Sequence, residues 1–108
     1  MIFSKNSKKG MAYSIVITKR ARQEIKNAID YYASYSSVAP INFSAVLEDA
    51  FDTLITYPFF AVRYKNVRTL KLKGFPYSLY FIVNEKASTV RILSCFHNKR
   101  SPYRRPKF

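Results

Sequence analysis

The hydrophobic period of this chain changes at Pro58, and that change most restricts what it can fold into. Upstream, Ala21, Ile25, Ala28, Ile29 and Tyr32 recur at helical spacing and form one apolar face, with Arg22, Gln23, Lys26, Asn27 and Asp30 falling elsewhere. Thr18 stands where a side-chain cap for this helix belongs. The stretch "SYSSVAP" interrupts the pattern, and Pro40 suits the first turn of a second helix. There Phe43, Val46, Leu47, Ala50, Phe51 and Leu54 repeat the spacing until Pro58 stops it. Two amphipathic helices with a short connector predict a helical hairpin.

Downstream of Pro58 the period falls from about 3.6 residues towards about 2. "VRTLKLKG", "YSLYFIV" and "TVRILSCF" are strand candidates, separated by a turn at Gly74 to Pro76 and by "NEKAS". Short turns predict an antiparallel three-stranded meander. In its middle strand Tyr77, Leu79, Phe81 and Val83 share one face and Ser78, Tyr80 and Ile82 the other, so both faces are apolar and the strand is central. In the last strand, regular alternation groups Val90, Ile92, Ser94 and Phe96 against Arg91, Leu93, Cys95 and His97, so that Arg91 and His97 look the same way. A short β-rich run at Tyr13 to Ile17 adds a further strand. The expected fold is α+β: an N-terminal strand, a helical hairpin, then the meander, all strands forming one curved sheet.

The chain has 108 residues and is 48% hydrophobic, enough for one core and little for a second. Residues 1–11 are expected to be a flexible leader, 12–103 the single domain and 104–108 a basic tail. The opening "MIFSKNSKKG" lacks the apolar core of a signal peptide, and the longest apolar runs fall far short of the roughly 18 to 20 residues that span a bilayer. A lone Cys95 inside an apolar run predicts a buried, inert thiol, compatible with a reducing cytoplasm.

Charge is unevenly spread. The formal net charge is +13, yet residues 19–57 hold four cations against five acids, whereas from Pro58 onward there are twelve cations and a single acid, Glu85. The C-terminal half therefore presents an electropositive surface, suited to nucleic acid, a nucleoprotein machine or an acidic protein.

Several chemistries are excluded. One His and one Cys cannot supply the ligands zinc requires, so neither metal nor cofactor is expected. Two glycines cannot build a phosphate cradle. What remains is a cationic set with aromatic and imidazole members. Such a set can cleave RNA without a metal if a base takes the 2′-hydroxyl proton, an acid protonates the leaving oxygen and cations stabilise the charge growing on phosphorus. His97 is the candidate acid or base. Against this stands a plain alternative in which His97 is structural and the strand lysines Lys71 and Lys73 form a solvated face.

Taken in order, "ARQEIKNAIDYY", "LEDAFDTLITYP", "VRTLKLKGFPYSLYFIV" and "VRILSCFHNKRSP" resemble the RelE/ParE superfamily, the toxin halves of bacterial type II toxin–antitoxin pairs. The "FPY" turn and a final strand ending in His97, three residues before Arg100 and five before Pro102, are similar to the ParE side. The resemblance implies a small cytoplasmic toxin neutralised by a cognate antitoxin in a hetero-oligomer. ParE-like members inhibit DNA gyrase; RelE-like members cut messenger RNA on the ribosome.

The RelE-like nucleases carry a pair of alternating lysines on the first meander strand, where this chain has Thr69 and Lys71. Ser78 stands where their next arginine is expected, and Asn98 where another falls, with Arg100 and Tyr103 close by. Each missing donor removes about 3 to 4 kcal/mol of transition-state stabilisation. The resemblance therefore implies a ParE-like toxin that acts by binding, with Arg68, Lys71, Lys73, Arg91, His97, Lys99 and Arg100 as expected target-binding residues. The alternative is a ribosome-dependent endonuclease built from His97, Arg100, Arg91, Lys71 and Tyr103. A third reading is a basic nucleic-acid-binding domain without toxicity.

Overall fold

The computed structural model describes residues 12–99. The leader and basic tail expected at the two ends, and Arg100 and Tyr103 with them, lie outside the described residues. β1 (Ser14–Ile17) leads into α1 (Lys19–Ala33) and α2 (Ala39–Thr56), followed by β2 (Val62–Tyr64), β3 (Val67–Lys71), β4 (Tyr77–Asn84) and β5 (Thr89–His97).

Local chemistry sets the helix ends. The Thr18 hydroxyl accepts from the Ala21 N–H at 3.2 Å and donates to the Ile92 carbonyl at 2.9 Å, so one side chain both caps α1 and ties it to β5. Ahead of α2 the Ser36 hydroxyl accepts from the Ala39 N–H at 3.0 Å, and Pro40 occupies the first turn. Ala21, Ile25, Ala28 and Tyr32 of α1 and Phe43, Leu47, Ala50, Phe51 and Leu54 of α2 are buried. The expected apolar faces are therefore the ones that pack; Ile29 and Val46 lie at the margin.

The five strands form one sheet in the order β1-β5-β4-β3-β2, with β1 parallel to β5 and the other neighbours antiparallel. β4 is central, as its two apolar faces require. Tyr77, Leu79 and Phe81 join the main core under the helices, whereas Tyr80 packs with Val67 and Phe96 in a smaller cluster on the opposite face, to which no residue of either helix contributes. We call this second surface the open face. Gly74, at φ +82°, turns β3 towards β4.

Two expectations need correction. The meander has four strands rather than three, because Val62–Tyr64 pairs with β3 through Val62↔Arg68 and Tyr64↔Val67. Three residues leave too few positions for an alternating pattern. The second correction bears on function. Opposite β4, the register passes from Phe81↔Ile92 to Tyr80↔Ser94, so Leu93 is an extra residue and β5 carries a bulge. Regular alternation fails there. Arg91 pairs with Ile82 and His97 with Tyr77, which lie on opposite faces of β4, so Arg91 and His97 do not look the same way.

Candidate functional site

The open face gathers Thr69, Lys71, Ser78 and Asn98. Thr69 and Lys71 from β3, Ser78 and Tyr80 from β4, and Asn98 just beyond β5 line a shallow depression of about 270 Å³, with Arg63 of β2 at its margin. Strand register explains the gathering, since Thr69↔Tyr80 and Lys71↔Ser78 are cross-strand pairs. The Ser78 hydroxyl donates to Asn98 Oδ1 at 2.8 Å. Among the described residues no carboxylate or imidazole lines the depression, and Arg91 is exposed further along the same face. Such a surface can attract negative charge but has few groups with which to move a proton.

Other expected residues are placed elsewhere. Arg68 donates from Nη1 to the Phe60 carbonyl at 2.6 Å, and its guanidinium lies 5.6 Å from the Phe59 ring centre, holding the segment that follows α2. Its register partner Phe81 puts it on the helix side of the sheet. Lys73 is exposed just past β3. A nuclease centre uniting Arg91 and His97 is not assembled, because the bulge separates them across the sheet. Arg100 and Tyr103 belong to the residues not described.

His97 lies instead in a second and larger concavity, about 530 Å³, between α1 and the end of β5. α1 contributes Glu24, Asn27, Ala28 and Tyr31; the sheet side contributes Tyr77, Cys95 and His97, with Lys99 following. The His97 ring stands edge-on to Tyr77 at 5.0 Å, and its Nδ1 accepts from the Lys99 N–H at 3.1 Å, which leaves the ring proton on Nε2. Glu24 Oε1 accepts from the Ser94 hydroxyl at 2.6 Å and from the Cys95 N–H at 3.1 Å, while Arg20 Nε lies 3.6 Å from Oε2. This carboxylate clips α1 to the bulged segment. Burial pushes the Cys95 thiol up to about 12, and the neighbouring Glu24 charge adds to the effect. The cysteine is buried, as expected. Among the described residues there is no group of three or more metal-ligating side chains, and no helix is long and apolar enough to cross a membrane.

Sequence reasoning missed Glu24, Asn27 and Tyr31 as lining residues. One signal was present. Glu24 falls three residues after Ala21 and four before Ala28, a carboxylate on the apolar stripe of α1.

Comparison with known proteins decides the family. The model of the ParE toxin of type II toxin–antitoxin systems, parDE, matches residues 15–102. The chain belongs to the ParE toxin family. Among solved structures, a chain of the chromosomal ParDE system of P. aeruginosa is 18% identical, with a TM-score of 0.68 over 82% of this chain and 98% of that one. A chain of the toxin–antitoxin complex RelBE2 of Mycobacterium tuberculosis is 23% identical, with a TM-score of 0.60 over 84% of this chain and 97% of that one. Comparison with curated protein sequences found no significant match. The fold expected from the RelE/ParE resemblance is thus the ParE fold observed, and the chain is a toxin of the type II class.

Proposed function

We propose that this ParE-family toxin arrests growth by binding a target rather than by cutting message, and that DNA gyrase, the target implied by the family, is its partner. The open face is the docking surface, with Arg63, Lys71 and Arg91 supplying positive charge. The observation that carries this reading is the make-up of the depression. Thr69, Ser78 and Asn98, which stand where the resemblance to the nucleases implies cations, line it, and His97 is on the other side of the sheet. Three absent donors at about 3 to 4 kcal/mol each remove most of what a metal-free cleavage would rely on. A cognate antitoxin, like those of the ParDE and RelBE2 complexes, neutralises the toxin in the cytoplasm. It lays an acidic amphipathic segment along the helical hairpin and the sheet edge, adding contact area and cancelling charge.

The test is to add purified protein to a gyrase supercoiling assay and to a translating extract. Loss of supercoiling with intact message is expected. Message cut on ribosomes with supercoiling untouched overturns the reading in favour of the endonuclease. Salt-sensitive binding to nucleic acid with neither effect favours a basic binding domain.

A further inference from the structure

The cleft between α1 and β5 is unused by the docking surface, yet its walls are chemically one-sided. Asn27 Oδ1 already accepts from Gln23 Nε2 at 2.9 Å, which leaves the Asn27 side-chain NH₂ as a donor. His97 keeps its ring proton on Nε2, and exposed Lys99 adds an ammonium. Three donors therefore line one concavity. Among the described residues Glu24 is the only acid there, and its charge is compensated by the Ser94 hydroxyl, the Cys95 N–H and Arg20. Ala28, Tyr31 and Tyr77 supply apolar and aromatic wall beside these donors. Tyr31 is 59% exposed and in ring contact at 5.4 Å with Tyr35, which is 63% exposed, so an exposed aromatic surface continues from the cleft.

We infer that this cleft is a recognition pocket for a glutamate or aspartate side chain of a protein segment, with an adjacent aromatic or aliphatic side chain lying against Tyr31 and Tyr35. The inference rests on the reading of the chain as a toxin held by an acidic partner segment, and it names where that segment is anchored. At about 530 Å³ the cleft has room for a carboxylate side chain together with a neighbouring apolar one. A carboxylate needs a few convergent donors and one cation, which are present. A nucleic-acid strand needs a series of cations along its backbone, and those lie on the opposite face at Arg63, Lys71 and Arg91.

Fluorescence polarisation with three labelled probes tests this: a short peptide alternating glutamate with phenylalanine and leucine, its glutamine counterpart, and a short oligothymidylate. The glutamate peptide should bind at least about tenfold more tightly than the glutamine peptide. Asn27→Trp, which fills the cleft from an exposed position, and Lys99→Glu should each weaken it by about tenfold, and Lys71→Glu by less than about twofold. The oligothymidylate should show the reverse dependence. Thermal melting checks that Asn27→Trp folds, and Lys99→Glu carries the test if it does not. Equal weakening by Lys71→Glu and Lys99→Glu means net charge alone is sensed, and overturns the inference; so does failure of the glutamate peptide to bind. Supercoiling inhibition by the unmodified protein is read separately, so failure of the gyrase reading and failure of this pocket give different results.

Discussion

The two faces of the sheet differ in what they cover and in what they are made of. Under the helices lie Phe43, Phe51, Leu79 and Phe81, all fully buried, and at one end the cleft with its Glu24 clip. The other face holds only a small cluster around Val67, Tyr80 and Phe96, ringed by polar and cationic groups. Charge is divided in the same sense. α2 carries Glu48, Asp49 and Asp52 and no cation, whereas Arg63, Lys71 and Arg91 belong to the open face. One face therefore holds the molecule together while the other is available for a partner. On the reading proposed above, the residues that make a stable ParE fold are largely separate from those that engage the target.

Breaking each face in turn sharpens the comparison. Phe81→Ala, in the main core, should cost about 3 to 5 kcal/mol of unfolding free energy in urea titration. Glu24→Ala strands the fully buried Ser94 hydroxyl and the Cys95 N–H, and should cost about 1 to 3 kcal/mol. Hydrogen exchange at the Cys95 amide should rise with it, locating the loss at the bulge. On the open face, Val67→Ala removes two methylene equivalents at about 0.8 kcal/mol each, for a cost of about 1.5 kcal/mol. A loss there as large as that of Phe81→Ala would contradict the division into a major and a minor cluster.

Cys95 gives the smallest signal. Its thiol keeps its proton to about pH 12 in the fold, against 9.0 unperturbed, so a thiol reagent at pH 8 to 9 should label it only as fast as the protein unfolds. The sign follows from linkage. The contribution of the buried thiol is fully present below pH 9 and is lost as pH rises towards 12.

Much of the fold can be read from the residues. The stripes of α1 and α2, the Thr18 cap, Pro40 in a first turn and the two-sided apolar character of β4 are local signals with one consistent answer. β2 has no such signal, since Val62–Tyr64 becomes a strand only by pairing with β3. The bulge is equally silent. "RILSCF" is apolar on both parities and contains no glycine, so nothing in it marks Leu93 as the extra residue. That single residue moves His97 away from Arg91 and breaks up the grouping that the alternative endonuclease reading needs. Thr69, Lys71, Ser78 and Asn98, by contrast, are each distinguishable in the sequence and meet in one depression.

The central claim is that the open face, rather than net positive charge, engages the target. The most direct measurement is the concentration of toxin that half-inhibits gyrase supercoiling, compared between Lys71→Glu/Arg91→Glu on the open face and Arg22→Glu/Lys26→Glu on the exposed side of α1. Both pairs change the charge of the protein by the same amount. The account predicts that the open-face pair raises this concentration by at least about tenfold while the helix pair leaves it near the wild-type value. Equal effects from the two pairs would contradict it.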